Sequence, residues 1–164
     1  MNQIFLLLGS NLGDKGKILS QTLNLIRYRI GHVFITSSQY ETEPWGNKNQ
    51  PNFINQMAGV ETILGPNDLL DICKKIEKES GREESEKWGP RLIDLDILFF
   101  GNEIYQSEKL TIPHPQLHLR RFTLEPLNEI MPDLVHPVFA KSISQLLEEC
   151  PDHCLVKKVE THEL

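Results

Sequence analysis

Apolar residues recur along this chain in two rhythms, and the alternation between them predicts the fold. Ile4 to Leu8 is a short, unbroken apolar run between polar residues, the pattern of a buried strand. Leu19, Leu23, Ile26 and Ile30 then share one face at helical spacing, which predicts a helix over Lys15 to Ile30 with Gly31 as its stop. His32 to Tyr40 reads as a second strand, and after the polar segment ETEPWGNKNQ a third runs over Asn52 to Ile63. Pro66 opens a second helix to Ser80, in which Leu69, Ile72, Cys73 and Ile76 share a face and Gly81 follows. LIDLDILFF, Leu92 to Phe100, is a further strand. The order β-α-β-β-α-β is that of the ferredoxin-like split βαβ unit, an α+β fold with an antiparallel sheet and both helices on one face. This core spans about 1–100. Residues 101–164, rich in proline, with a helix near Ser142 to Cys150 and a last strand over Leu155 to Val159, form a C-terminal extension. The whole of 1–164 is expected to be one domain.

Asp94 and Asp96 break the apolar run of the last core strand. Residues two apart on a strand point to one side, so the two carboxylates share a face while Ile93, Leu95, Ile97 and Phe99 are expected on the other. A lone Asp-x-Asp is about as often a solvated strand end as a site. A divalent cation, however, turns a repelling pair into a ligand pair, and Mg²⁺ takes carboxylate oxygens while keeping waters and phosphates for the rest of its shell. The basic residues nearby fit a phosphate. The segment KLTIPHPQLHLRR contains no acid, yet offers Lys109, His114, His118, Arg120 and Arg121, and Arg82 and Arg91 flank the loop before the aspartates. Singly these are surface charges; as a set beside paired aspartates they suit a metal nucleotide.

Composition narrows the setting. The length suits one core that buries about two thirds of the unfolded surface. The formal charge of −6 argues against a general electrostatic grip on nucleic acid. Three cysteines, Cys73, Cys150 and Cys154, form neither an even disulfide set nor a zinc pattern and read as reduced thiols. The apolar run near the N-terminus is too short for a signal peptide or membrane span, so a cytoplasmic protein without membrane contact is expected. GSNLGDKGK lacks the spacing of a P-loop, and Gly9, Gly13 and Gly16 read as turn formers. The long connection before the third strand carries Trp45, with Phe53 and Asn55 just after it. Together with Phe122 these could hold a flat, hydrogen-bonding heterocycle, although Phe53 and Phe122 taken singly read as core.

From Ile4 to Cys150 the chain resembles the bacterial hydroxymethyl-dihydropterin pyrophosphokinases of folate synthesis. KWGPRLIDLDIL is the most specific piece, supported by LGSNLGD, YETEPWG, QPNFIN, ESGR, IPHP and RRF in that order. The resemblance implies transfer of the diphosphate of MgATP to the hydroxymethyl group of the dihydropterin, with release of AMP. It implies Asp94 and Asp96 as ligands of two Mg²⁺ ions; Arg82, Arg91, Lys109, His114 and Arg120 on the triphosphate; and Glu77 near the nucleoside. Thr42, Trp45, Phe53, Asn55 and Phe122 would form the pterin pocket, with the ring between the two phenylalanines, and Trp88 would ride on a closing loop. Arg82 and Arg91 count with the aspartates as catalytic. Contact with neighbouring folate-pathway enzymes is a further implied partner. Glu83, Glu84 and Gln116 stand where relatives often carry basic residues, which makes Arg121 a candidate substitute in the triphosphate grip. Two rivals share the fold: a two-metal nucleotidyl transferase or cyclase, which would free pyrophosphate, and a ligand-sensing module, which would consume no ATP.

Overall fold

The computed structural model describes residues 1–80 and 92–160. The core elements are β1 (Asn2–Ser10), α1 (Lys15–Arg29), β2 (His32–Thr36), β3 (Tyr40–Thr42), β4 (Phe53–Thr62), α2 (Pro66–Glu79) and β5 (Asp94–Phe100). Asp14 opens α1 by accepting the Lys17 N–H, and Pro66 occupies the first turn of α2, where its missing N–H costs nothing. The sheet runs β5-β1-β4-β3, with β2 also on β4, and these pairs are antiparallel. This is the expected ferredoxin-like order. Leu19, Leu23 and Ile26 of α1 and Leu69, Cys73 and Ile76 of α2 pack on Ile4, Leu6, Leu8, Leu95 and Ile97 in one apolar cluster, so both helices cover one face.

The single strand expected over His32 to Tyr40 is two strands. At the break, Ser37 Oγ accepts the Met57 N–H at 2.9 Å and the Glu129 carboxylate accepts the Ser38 N–H at 3.0 Å, so side chains take over from the ladder. Gly31 does follow α1, but not as a left-handed cap. A Cβ there would lie 1.9 Å from the Glu61 carbonyl oxygen, so glycine permits a close backbone approach. Of the three glycines read as turn formers, Gly13 has φ +68°, whereas Gly9 lies within β1 and Gly16 within α1.

Phe99 is not on the side of Leu95 and Ile97. The β1–β5 register slips between Phe5 and Leu6, which pair with Phe99 and Ile97, leaving Leu98 as the extra residue of a bulge. Beyond it the alternation inverts: Phe100 joins the helix-side cluster and Phe99 the opposite one.

The C-terminal elements are β6 (Tyr105–Gln106), β7 (Thr111–Ile112), a 3-10 turn at Leu117–Leu119, α3 (Arg121–Ile130), α4 (Ile143–Glu148) and β8 (Val156–Lys158). The β6–β7 hairpin packs Tyr105 and Ile112 against the helix-side cluster, while the 3-10 turn, α3 and α4 partly cover the opposite face. Leu117, Leu124, Leu127, Ile143 and Leu146 pack on Phe5, Leu7, Met57 and Phe99. The extension is therefore a third layer. Its longest helix, α3, escapes a pattern reading because Pro126 sits inside it; burial of Leu124 and Leu127 outweighs the lost backbone bond. β8 pairs with β3 and extends the sheet at that edge. Among the described residues no helix is long and apolar enough to cross a membrane.

Candidate active site

The site forms where the third layer leaves the sheet face open. Asp94 opens β5 and pairs with Gly9 of β1; Gly9 pairs on its other side with Asn55 of β4. Two strand spacings, about 10 Å, separate the backbones of Asp94 and Asn55, and residue 9 puts no side chain between them. A Cβ at Gly9 would come within 2.5 Å of Asn55 Oδ1 and 3.6 Å of Phe53 Cδ1. The glycine of LGSN is thus the floor of a gap between a carboxylate side and an amide side.

On the amide side, buried Asn55 donates from Nδ2 to Thr42 Oγ1 at 2.7 Å, which fixes the rotation of its carboxamide. Thr42 pairs with Phe53, so Thr42, Phe53 and Asn55 adjoin one another. The long connection is held from below: buried Asn11 donates to Gln50 Oε1 and the Pro51 carbonyl, and Lys15 Nζ donates to the Asn52 carbonyl at 2.8 Å. Arg120, only 5% exposed, lies 4.6 Å from the Trp45 ring centroid and 5.6 Å from that of Phe122. Its charge also acts on Asp96 and Asp94, so it joins the aromatic and carboxylate sides.

On the carboxylate side, burial and the charge of Asp94 push the Asp96 carboxyl up to about 7, against the pull of Arg120. Glu77 of α2 is buried; its Oε2 accepts the Leu95 N–H at 3.0 Å, and it hydrogen-bonds Asp94. Burial and then Asp94 raise its affinity for a proton. Asp96, Lys109 and His114 line one cavity of about 310 Å³ together with Leu70, Lys74 and Thr111. His114 Nδ1 accepts the Gln116 N–H at 3.1 Å, so the neutral ring carries its proton on Nε2; burial and then the Arg120 charge hold this histidine down to about 4.

The structure therefore brings Asp96, Lys109 and His114 to one cavity, Thr42, Phe53 and Asn55 to one patch, and Trp45 and Phe122 both to the Arg120 guanidinium. Arg82, Trp88 and Arg91 lie outside the described residues. Arg121 is engaged away from the cavity: its guanidinium binds Glu125 Oε1 at 3.1 Å and the Asp152 carbonyl at 2.8 Å. Gln116 instead accepts a hydrogen bond from Arg120. Sequence reasoning missed Lys74, which reads as one more solvated lysine of α2; it also missed Asn11 and Gln116, whose partners are distant in sequence or arise from a tight turn. Among the described residues no group of three or more His, Cys, Asp or Glu side chains forms a ready metal cage. Two hard carboxylates beside an open cavity fit Mg²⁺, which binds few protein ligands, better than a metal needing a full protein shell.

An α+β sheet with a carboxylate pair at the start of its edge strand, facing a hydrogen-bonding aromatic patch, defines the class. A family model for 7,8-dihydro-6-hydroxymethylpterin-pyrophosphokinase (HPPK) matches residues 5–132, and the chain belongs to this family. It is 43% identical over 154 residues to the 2-amino-4-hydroxy-6-hydroxymethyldihydropteridine pyrophosphokinase of Haemophilus influenzae, covering 93% of this chain and 96% of that one. To the protein of the same name from Aquifex aeolicus it is 38% identical over 160 residues, covering 96% and 99%. The fold is similar to that of Plasmodium falciparum HPPK-DHPS, solved with pterin and p-hydroxybenzoate: the TM-score is 0.73 at 20% identity, over 90% of this chain and 43% of that one.

Proposed function

We propose that this protein transfers the diphosphate of MgATP to the hydroxymethyl group of 6-hydroxymethyl-7,8-dihydropterin, releasing AMP, as a step of folate biosynthesis. The observation that carries the reading is the row Asp94, Gly9, Asn55, which sets a carboxylate pair and an amide-bearing aromatic patch on either side of a strand position with no side chain. A flat pterin on the Asn55 side would present its hydroxymethyl group toward Asp94 and Asp96. Membership of the HPPK family supports the same substrates.

The residues divide the work. Asn55, oriented by Thr42, reads the hydrogen-bonding edge of the pterin, and Phe53, Phe122 and Trp45 supply apolar faces to the ring. Lys109 and His114 meet the triphosphate in the cavity; His114 acts as a neutral donor through Nε2. Arg120, oriented by Gln116, lies between the substrates, where charge develops on the transferred group. Asp94 and Asp96 would hold two Mg²⁺ ions, which when bound supply neutralisation of the triphosphate charge and alignment of its oxygens. Glu77 supports Asp94 through their hydrogen bond, with the nucleoside expected nearby. Arg82, Trp88 and Arg91, outside the described residues, are proposed as further partners of the ATP. Such a reaction needs positioning and charge neutralisation rather than covalent help from the protein.

The test is incubation with MgATP and the hydroxymethyl-dihydropterin, with products separated by chromatography. AMP together with a pterin diphosphate, and no free pyrophosphate, is expected. Free pyrophosphate would mark a nucleotidyl transferase, and absence of ATP consumption a sensing module. The HPPK-DHPS chains also make contact with a neighbouring enzyme of the pathway a reasonable partner for this chain in a cytoplasmic setting.

A further inference from the structure

The two walls of the pterin side come from distant parts of the chain, and one short tail segment bonds to both. Arg120 and Phe122 belong to the start of α3, whose N-cap residue, Arg120, makes no side-chain capping bond. The first-turn N–H of Arg121 is instead accepted by Asp152 Oδ2 at 3.0 Å, while Arg121 Nε donates to the Asp152 carbonyl at 2.8 Å. The other carboxylate oxygen, Oδ1, accepts the Cys154 N–H at 2.9 Å, which sets the course of the tail beyond it. There Leu155 exchanges bonds with the opposite wall: its carbonyl accepts the Glu43 N–H at 3.2 Å and its N–H donates to Glu43 Oε1 at 3.3 Å. Val156 then pairs with Thr42 in the β3–β8 ladder. Thr42 and Glu43, two residues before Trp45, thus hang from the same tail as Arg120 and Phe122.

We infer that Asp152 is a positioning residue for the pterin pocket: a distant cap of α3 that sets the separation of the Phe122 wall from the Thr42–Trp45 wall. A carboxylate suits the role. It complements the positive end of the helix and accepts two backbone N–H groups at once, one from each segment. Arg121 holds the same junction from the other direction, anchored by Glu125 one turn along α3. The nucleotide cavity is lined from α2, β5 and the β7 region and meets this clasp only through Arg120. Loss of Asp152 should therefore affect the dihydropterin, whose two walls both hang from the tail, more than the nucleotide.

The inference rests on the proposed pterin reaction, and the experiment separates the two. In Asp152→Ala the KM for hydroxymethyl-dihydropterin is expected to rise about tenfold and that for MgATP, which meets the clasp only through Arg120, by about threefold or less, the signature of lost positioning mainly on the pterin side. Asp152→Asn, which keeps one oxygen for the Arg121 N–H, should recover most of the loss. Hydrogen exchange read at the Arg121, Phe122 and Glu43 amides should show protection lost in Asp152→Ala and retained in Asp152→Asn, whatever the substrate. Equal rises in both KM values, or unchanged KM for the dihydropterin with unchanged amide protection, would overturn the assignment. Wild-type protein that makes no AMP would sink the functional reading alone, because the exchange measurement would still decide whether Asp152 sets the two walls.

Discussion

At the scale of single residues, Asp94 and Asp96 are crowded with Glu77 against the start of an edge strand, a geometry unfavourable without a cation. Asp94→Ala and Asp96→Ala are each expected to leave the fold intact and nearly abolish turnover; full activity in either would remove the two-metal reading. The crowding also has a sign in stability. An ordinary Asp loses its proton near 3.8 but folded Asp96 only near 7, so between those values the folded state keeps a proton that the unfolded chain has lost, and stability falls as pH rises. His114 works oppositely: the unfolded chain binds the proton near 6.5 and the folded state near 4, so stability is lost as pH falls through that window. Glu77 adds to the first trend, His118 and His136 to the second. Asp96→Asn removes much of the first trend. Denaturant titration in EDTA should then show stability climbing from pH 4 to 6.5 more steeply than in wild type, and exceeding wild type at pH 8 by on the order of 2 kcal/mol. Equal stability at pH 8 would count against the crowding. For the aromatic residues, Phe53→Ala and Phe122→Ala should each weaken dihydropterin binding by about 1–3 kcal/mol with MgATP affinity unchanged, as calorimetry would show; equal losses would mean a disturbed core instead.

At the scale of elements, two glycines separate structure from function. Gly31 faces the Glu61 carbonyl across the α1–β4 junction, and a methyl group there meets backbone that cannot swing aside. Gly31→Ala should cost at least about 2 kcal/mol of stability. Gly9→Ala meets only the end of the Asn55 side chain, which can rotate away but then abandons Thr42. Thermal melts and kinetics on both variants should show a lowered Tm for Gly31→Ala, and a raised KM for the dihydropterin with a nearly normal Tm for Gly9→Ala. The reverse pattern would contradict the role given to the site floor. The bulge at Leu98 is the other decisive local feature: it lets β5 present aspartates at its start and Phe99 to the second core on the same face, while Phe100 still seals the first.

At the scale of the whole molecule, two apolar clusters lie on opposite faces of one sheet and draw on the same strands, since Ile4, Leu6 and Leu8 belong to one and Phe5 and Leu7 to the other. The extension over 101–164 is therefore proposed to unfold with the core over 1–100 rather than apart from it. Leu127→Ala, in the third layer, should lower stability by about 2–5 kcal/mol while heat unfolding stays a single transition by circular dichroism and fluorescence alike. Two separated transitions would make the extension an independent unit.

The βαββαβ order, both helices and the face shared by Asp94 and Asp96 were legible in the sequence because each follows from local periodicity, and the motif around WGPRLIDLDIL carried the family resemblance besides. The burial of Leu124 and Leu127 that keeps α3 helical around Pro126 was not legible, since it depends on strands more than twenty residues away. Nor was the inversion at Phe99, which depends on a register slip against β1 that no periodicity within β5 records. The commitment of Arg121 to Asp152 and Glu125 looks, in one dimension, the same as a free phosphate ligand. Sequence by itself determined which residues carry the charges and rings of this protein. Only the tertiary structure decided which of them meet, because opposing a carboxylate to an amide across Gly9 is a property of strand pairing, and pairing is set by how the whole sheet buries its two faces.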